Sequence, residues 1–474
     1  MVINKTINRT TPTYLLMLGL LGLGGCSSFS DTGGFDRVES ITKKELGSFE
    51  LNTKGELTPA MQQTIQNLLK SPLTIDSSVQ IALLNSKSLQ SQYANLGIAE
   101  ADLVQAGRLR NPGFSIGKTT QGGEREYENF VLFDLLGLLT LNQRTAIAEH
   151  QFERAKIAAA RDTLQLANKV RQAWIQAVAS QASARYYDQV ISATEAGALL
   201  AKRMAETGNI STLSYARQHS LYAEFSAQGQ RSKQKATYYK EQLIRLIGLI
   251  DPNQVILPER LPNLPENTRP QQNSIQTAIN QRLDLIMARE ETEALAKSMG
   301  LTRATNWVNV LEVGYLNSTS NEAPTKEGYE IELRLPIFDW GDAKTAKAEQ
   351  LYRQAMNRTA DLAIKATSEV HERHDAYLNN YRIARHYRDE IVPIRQRINE
   401  ENMLRYNGML ISVFEILADA RSQIISVDAY LNALRDFWLS DINLTASLQG
   451  TSIFNSSVQM TTNITPDTSA DGGH

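Results

Sequence analysis

The sequence contains an internal duplication at a shift of about 200 residues, and this feature most limits how the chain can fold. Each half reads as a helix, a polar strand pair, a very long helix, a tight turn and another helix. Phe133-Asp134, near the end of the first strand pair, corresponds to Phe338-Asp339 in the second half. A turn at Gly208 likewise corresponds to one at Gly408. The duplication therefore predicts one structural unit built twice.

Periodicity and breaker residues set the expected bounds. The first repeat is expected over 72–250, with a strand pair at 114–133, a long helix at 142–207 and a helix at 211–247. The second is expected over 274–449, with a strand pair at 307–335, a long helix at 342–407 and a helix at 412–449. A Pro-rich surface linker, 251–273, joins the two repeats. Gly197 and Pro393 interrupt the two long helices at nearly the same height, which predicts a shared bend.

The outer parts of the chain are less regular. We expect the segment 26–71 to be an extended arm with one short helix near Pro59–Leu69. Helical spacing from Leu73 to Ala106 predicts one continuous helix in front of the first strand pair. The tail, 450–474, is rich in Ser, Thr and Asn and is expected to be disordered.

The N-terminus has the pattern of an export signal. Lys5 and Arg9 precede an apolar stretch, Tyr14–Leu23, that is too short to span a bilayer comfortably. The stretch ends in Leu23-Gly24-Gly25-Cys26, which resembles a bacterial lipoprotein signal and implies a signal peptide at 1–25 and a lipidated Cys26. Ser27 follows, and the resemblance then implies sorting to the outer membrane. An ordinary secretory signal with an incidental cysteine is the alternative.

The helix lengths indicate how the elements pack. At about 1.5 Å per residue, each predicted long helix extends roughly 100 Å. In each half the two flanking helices, placed end to end, reach nearly the same length. Each half can therefore form two rods that lie side by side, one continuous and one in two pieces. A spectrin-like or coiled-coil rod has the same periodicity and stays open at this point.

The strands favour a membrane-spanning sheet. In the second pair, apolar residues alternate with Glu330, Glu332 and Arg334. One face would carry Asn309, Leu311, Val313 and Tyr315 on one strand and Tyr329, Ile331, Leu333 and Leu335 on the other. The aromatic residues that flank the pair are Trp307, Tyr315, Tyr329, Phe338 and Trp340. This pattern is typical of barrel strands with lipid outside and water inside. A half-buried hairpin in a soluble protein is the alternative.

Four strands cannot close a barrel in a membrane, where each open edge would leave backbone groups unpaired. Several copies of the chain must therefore combine if the strands enter lipid. Three copies would supply about 12 strands and about 12 helical rods. The expected fold is mainly α with a small β part: a trimeric 12-stranded transmembrane β-barrel that continues into a 12-rod α-helical barrel.

Four segments carry a family resemblance: Leu73–Asn85, Ala106–Pro112, Leu335–Gly341 and Tyr406–Leu410. In this order they resemble the TolC-like outer-membrane efflux factors, and the resemblance covers about residues 72–449. It implies a homotrimeric channel through the outer membrane and periplasm that docks a periplasmic adaptor linked to an inner-membrane pump. One departure is the apolar run Leu135–Leu139, which stands where the second half has Pro336. This departure leaves the end of the second strand open.

The resemblance also suggests functional residues at the two turns. The turns would be tunnel tips that contact the adaptor through Arg203, Gly208, Ser211, Arg405, Gly408 and Ser412. Ordinary helix reversal would use the same Gly and Ser residues. Glu415 and Asp419 lie four apart and resemble in place the acidic ring of a periplasmic gate. A capping box from Ser412 to Glu415 is the alternative role of that glutamate.

No pattern supports catalysis or a cofactor. His371-Glu372-Arg373-His374 lacks the spacing of a zinc-protease helix, and with His386 it is expected to lie on a solvated polar face. No metal site is expected, and the net charge of −2 does not favour a nucleic-acid partner. The favoured function is a passive outer-membrane duct for efflux or secretion. A lipid-anchored periplasmic helical scaffold without a pore is the alternative, and drug, metal-ion and protein cargo all stay open.

Overall fold

A computed structural model gives the fold and describes residues 28–268, 281–308, 310–334, 336–411 and 413–452. In these residues the helices are α1 Phe35–Leu46, α2 Pro59–Leu69, α3 Ile75–Asn85, α4 Lys87–Ala106, α5 Leu135–Glu206, α6 Thr212–Ile247, α7 Leu283–Ala304, α8 Asp342–His386, α9 Val392–Asn407 and α10 Val413–Gln449. The strands are β1 Gly113–Gln121, β2 Glu124–Asp134, β3 Leu311–Ser320 and β4 Lys326–Leu333. The predicted mainly helical fold with a small sheet is confirmed.

The longest helix, α5, starts earlier than the sequence predicts. It has 72 residues and begins at Leu135, so the predicted start at 142 is wrong by about two turns. The carboxylate of Asp134 accepts a hydrogen bond from the backbone N–H of Gly137 at 2.6 Å and caps the helix. The apolar run Leu135–Leu139 is therefore the first turn of α5 and not the end of β2.

The helix predicted from Leu73 to Ala106 is interrupted at Ser86, so the prediction of one continuous helix is wrong. Ser86 has φ −67° and ψ 112°, and its hydroxyl accepts a hydrogen bond from the N–H of Leu89 at 3.4 Å, which starts α4. The Asn85 side chain donates to the carbonyls of Ile247 and Gly248 at 3.2 and 2.6 Å. The end of α3 thus meets the end of α6, and both helices pack along α5.

In the second half, α7 and α10 both pack against α8. The predicted long helix 342–407 is helical throughout, but a π-helical turn at Tyr387–Ile391 separates α8 from α9. This turn lies directly before Pro393, whose ring removes a backbone donor and distorts the preceding helix. In contrast, α5 continues through Gly197 without a break. The irregularity predicted for both long helices is therefore found only in the second.

The strands form one antiparallel sheet in the order β1-β2-β3-β4. Strands β2 and β3 pair from Glu126 opposite Ser320 to Asp134 opposite Glu312, so the two strand pairs of the sequence join in a single sheet. The strand expected to start at Trp307 starts at Leu311. Asn309 and Leu335 lie outside the described residues.

The main core lies where the shorter helices meet the middle of α5. Its small residues are Ala160, Ala167 and Ala177, each fully buried, which lets helices approach closely. Helix α2 was predicted, but α1 was not, and Val38 on α1 is fully buried. The segment 251–268 is not a surface linker. Its apolar side chains are buried in the same core, and they are Val255, Leu257, Leu261 and Leu264.

In the described part of the chain, none of the helices combines the length and the apolar character that crossing a membrane requires. The predicted signal peptide, Cys26, residues 269–280, Ser412 and residues 453–474 fall outside the described residues.

Candidate functional site

One face of the sheet is apolar in its three rows nearest the helices. Because residues directly opposite in an antiparallel sheet point to the same side, the register sets the composition of each face. Phe114, Val131, Tyr315 and Tyr329 form one row across the four strands. The next row toward the helices includes Phe133, Val313 and Ile331, followed by Leu311 and Leu333. Phe114, Tyr329 and Ile331 are 66%, 85% and 69% exposed, so the chain does not cover this face.

The opposite face is acidic. It carries seven carboxylates, which are Glu124, Glu126, Glu128, Asp134, Glu312, Glu330 and Glu332. Three cations lie near them: Lys326 is 3.9 Å from Glu126, Arg334 is 3.0 Å from Glu332, and Arg110 is 3.7 Å from Asp134. Seven carboxylates and three cations leave about four uncompensated negative charges per chain. Such a face requires water, whereas the apolar face does not.

Of the predicted aromatic residues, Trp307, Phe338 and Trp340 lie at the helix-side end of the sheet, and Tyr315 and Tyr329 lie further along the apolar face. The rings of Tyr315 and Tyr329 are 5.5 Å apart, and those of Trp307 and Trp340 meet edge to face at 5.8 Å. Phe338 is 99% exposed. An exposed aromatic band at one end of an apolar face is typical of a membrane interface.

Both outer strands of the sheet, β1 and β4, have an edge without a partner in the chain. Each edge presents a row of backbone N–H and C=O groups along a strand with exposed apolar side chains. Such an edge is a template for pairing with another strand. The sheet of one chain is thus incomplete on both sides.

The two predicted tips, the turns at Gly208–Ser211 and Gly408–Leu410, reverse the chain in different ways. In the first, Gly208 has φ 77°, and Ser211 accepts a hydrogen bond from the N–H of Ser214 at 3.1 Å to start α6. In the second, Gly408 has φ −80°, and the left-handed residue is Met409 at φ 60°. The predicted correspondence of Gly208 with Gly408 is therefore offset by one residue.

Both tips expose apolar and basic side chains. Arg203 and Arg405 are exposed at the ends of α5 and α9. Leu213, Met409 and Leu410, which the sequence analysis missed, are 61%, 94% and 77% exposed. A left-handed non-glycine residue is uncommon and costs about 1 kcal/mol. The Gly-Met-Leu order of the turn is the only sequence signal for the left-handed conformation of Met409.

The two predicted gate residues lie in different surroundings. Glu415 is exposed near the start of α10. Asp419 is half-buried and accepts a hydrogen bond from the side-chain amide of Asn402 on α9. Nearby, Arg421 of α10 contacts Glu224 of α6 at 3.1 Å. The acidic pair is thus at the tip end of α10, but only Glu415 is exposed.

Sequence analysis also missed a buried ionic cluster at the start of α7. Arg282 is 1% exposed and donates to Asp284 at 3.0 and 2.7 Å, to Glu369 at 2.9 Å and to the Ser447 carbonyl at 2.7 Å. Burial alone would lower the pKa of Arg282, but the bonds to Asp284 and Glu369 outweigh it and raise the pKa. The cluster joins α7 to α8 and α10.

A half-buried carboxylate lies between α5, α6 and α10. Asp428 lines a cavity of about 300 Å³ together with Tyr187, Gln228, Lys235 and Arg435. Burial raises the pKa of Asp428, partly opposed by its hydrogen bond with Asn432.

The described residues hold no group of three His, Cys, Asp or Glu side chains that could bind a metal ion. The histidines do not share one solvated face as predicted. His371 and His386 are exposed, but His374 is buried on α8 with its Nε2 atom unpaired. The two positions are about 60° apart around the helix, and His374 lies on the core side of that border.

Several solved structures share this architecture. CusC, described for transmembrane channel formation, superposes with a TM-score of 0.66 and 16% identity, covering 79% of this chain and 92% of CusC. The outer-membrane channel OprN gives a TM-score of 0.68 at 14% identity, covering 85% and 96%. The outer membrane protein VceC of Vibrio cholerae gives 0.67 at 15% identity, covering 80% and 97%. This chain has the outer-membrane channel fold.

No protein-family model matches the chain, and no curated protein matches its sequence. The likeness is therefore one of fold, at identities of 14% to 16%. In the outer-membrane channel fold, the exposed apolar sheet face, the open edges and the long helices belong to one architecture. CusC and OprN are both described as channels.

Proposed function

We propose that the chain is the outer-membrane channel of a tripartite efflux or secretion system. It passively conducts substrates from an inner-membrane pump and a periplasmic adaptor to the outside. The observation that carries this proposal is the sheet, which has one exposed apolar face, one acidic face and two unpaired edges. A sheet of this kind suits a position between lipid and water.

In a homotrimer, the open edges of β1 and β4 would gain hydrogen-bonding partners. Pairing β4 of one copy with β1 of the next closes about 12 strands into a barrel and leaves no edge in lipid. The helices support the same closure: α5 packs against α4 and α7, and α7 against α8, so α4 and α8 are the outer rods. Both carry exposed apolar side chains, with Ile98 at 60% on α4 and Ile364 at 71% on α8. Contact between neighbouring copies would bury these residues.

Anchoring of Cys26 in the outer membrane fits the position of the N-terminal segment. Ser30 donates its N–H and its hydroxyl to the buried carboxylate of Glu100 at 2.7 and 2.6 Å. Four residues reach at most about 14 Å, so a lipidated Cys26 would stay near the upper part of α4. That region leads directly into β1 at Gly113. The acyl chains would then enter the inner leaflet beside the barrel.

The tips are proposed to dock a helical hairpin of the adaptor. Exposed Leu213, Met409 and Leu410 supply apolar contacts, and Arg203 and Arg405 supply charge around them. Gly208, Ser211, Gly408 and Ser412 would shape the two turns. Glu415 and Asp419 remain the proposed gate, and the exposure of Glu415 favours it as the residue that meets the permeating ion.

Single-channel recording tests this proposal. Full-length protein, purified as a heat-modifiable oligomer and added to a planar bilayer, is expected to give stepwise conductance. A lipid-anchored scaffold without a pore would give no conductance. A purified protein that is monomeric in mild detergent would also refute the channel. Deletion of the locus, followed by profiling of sensitivity to metals and drugs, would then identify the cargo.

A further inference from the structure

Two cations lie on the apolar face of the sheet, near the hairpin ends. Lys118 is directly opposite Tyr127 in the register, and Arg125 is opposite Thr120, so both share a face with Phe114 and Ile116. The Nζ atom of Lys118 lies 5.4 Å from the centre of the Tyr127 ring. Both cations are exposed, and neither forms an ion pair within the described part of the chain.

The strand register sets the position of the two cations along the axis of the proposed barrel. From the row of Leu311 and Leu333 to the row of Lys118, Tyr127 and Thr319 there are eight residues along β3. With a rise of about 3.4 Å per residue and a tilt of about 40°, this is roughly 20 Å along the barrel axis. This span holds three apolar rows and then one mixed row of Ile116, Asn129, Asn317 and Glu327. With the aromatic end at Trp307 and Trp340 added, it approaches the roughly 25 Å height of a barrel's lipid-facing band. Lys118 therefore lies at the outer border of the band, and Arg125 about 5 Å beyond it.

The distribution of charge between the two faces is asymmetric. The acidic face holds all the sheet carboxylates except Glu327, which lies on the apolar face of the outer strand β4, in the row of Ile116 and Asn317. If Lys118 and Arg125 served to neutralise the carboxylates, they would be expected on the acidic face, where Lys326 lies beside Glu126. Their position instead matches the level at which lipid phosphates occur. Arg and Lys bind phosphate by charge-assisted hydrogen bonds.

We propose that Lys118 and Arg125 bind the phosphate of an outer-leaflet lipid headgroup, with Tyr127 positioning the lysine and with the acyl chains along Phe114 and Ile116. This inference rests on the proposed function, since it requires the apolar face to meet lipid. Each chain supplies one such site, and a trimer has three. The site would select anionic lipid over zwitterionic lipid at the outer rim of the channel.

Native mass spectrometry of the detergent-purified full-length trimer tests this. The probes are dioleoyl phosphatidylglycerol, which is anionic, and dioleoyl phosphatidylcholine, which is zwitterionic. The wild type is expected to prefer the anionic lipid. The double variant Lys118→Gln/Arg125→Gln should lose about thirtyfold in affinity for it, at roughly fivefold per cation, with little change for the zwitterionic lipid. The swap Lys118→Arg/Arg125→Lys should retain the preference.

A matched control removes two exposed cations far from the sheet, in Lys54→Gln/Arg260→Gln. Equal losses in the control and the sheet variant would overturn the proposal, because net charge alone would then explain them. An unchanged preference in the sheet variant would also overturn it. A sheet variant that is monomeric while the control stays trimeric would overturn the proposal as well. The cations would then act between copies, for example on Glu327 of the next chain. A wild type without trimer or conductance would instead refute the proposed channel itself, and this inference with it.

Discussion

The most direct test of the channel architecture places the same charge on either face of one strand. Ile331 and Glu332 are neighbours on β4, and their side chains point to opposite faces. Ile331 is 69% exposed in the row of Phe133 and Val313, inside the apolar band. A lysine facing lipid near the middle of the membrane costs about 2 to 4 kcal/mol, which amounts to roughly 6 to 12 kcal/mol for three copies. Ile331→Lys is therefore expected to abolish most of the assembled trimer.

The neighbouring variant Glu332→Lys should have little effect on assembly. It removes a partly exposed pair, in which Arg334 lies 3.0 Å from Glu332, and such pairs contribute about 0 to 1 kcal/mol. It also changes the charge of the acidic face by +2 per chain, so single-channel cation selectivity should fall. The assay is the yield of heat-modifiable trimer in the outer-membrane fraction, followed by recording in planar bilayers. If Glu332→Lys blocked assembly and Ile331→Lys did not, the assignment of the two faces would be wrong. If both were tolerated, the strand would not be in lipid.

Three further predictions concern stability, each measured by urea unfolding followed by circular dichroism at 222 nm. Arg282→Met should cost about 3 to 5 kcal/mol because it leaves buried carboxylates unpaired, whereas Arg388→Met, at a largely exposed pair, should cost less than about 1 kcal/mol; equal effects would contradict this. Gly248→Ala should destabilise by about 1 to 3 kcal/mol because Gly248 has φ 75° and its Cβ would lie 3.0 Å from the backbone oxygen of Asn85, while Gly300→Ala, with open space around it, should stabilise by about 0.5 to 1 kcal/mol. Burial raises the pKa of Asp428, so its contribution to stability is present below its ordinary pKa of 3.8 and lost as pH rises through the raised value. The free energy of unfolding of Asp428→Asn should therefore rise relative to that of the wild type between pH 4 and pH 7. A constant difference between the two free energies over that range would contradict the raised pKa.

Some of the fold could be predicted because it depends on long-range regularity. A stretch without Gly or Pro predicts a helix over many turns, and Glu330 and Glu332 alternate with apolar neighbours over several residues of β4. The boundaries could not be predicted in the same way, because they depend on single hydrogen bonds. Asp134 starts α5 by capping Gly137, and Asn85 ends α3 through the carbonyls of a helix about 160 residues away. No local pattern contains that partner.

The candidate site was predicted unevenly for the same reason. The aromatic residues of the sheet could be singled out because their type and spacing indicate a membrane interface, and that role stays a prediction. Arg282 was missed because a charged residue is usually exposed, and its partners Glu369 and Ser447 are far away in sequence. Met409 was missed because turn rules assign the left-handed position to glycine, and Gly408 stands beside it.

The exposure of the sheet face favours the proposed channel over a soluble scaffold. In a soluble hairpin, side chains such as Phe338 and Tyr329 would pack on a core, but they are 99% and 85% exposed. A partner protein could cover one apolar face, yet it would leave the edges of β1 and β4 unpaired. Copies of the same chain pair both edges, and lipid then covers the face. A trimer in a membrane satisfies both conditions without an additional protein.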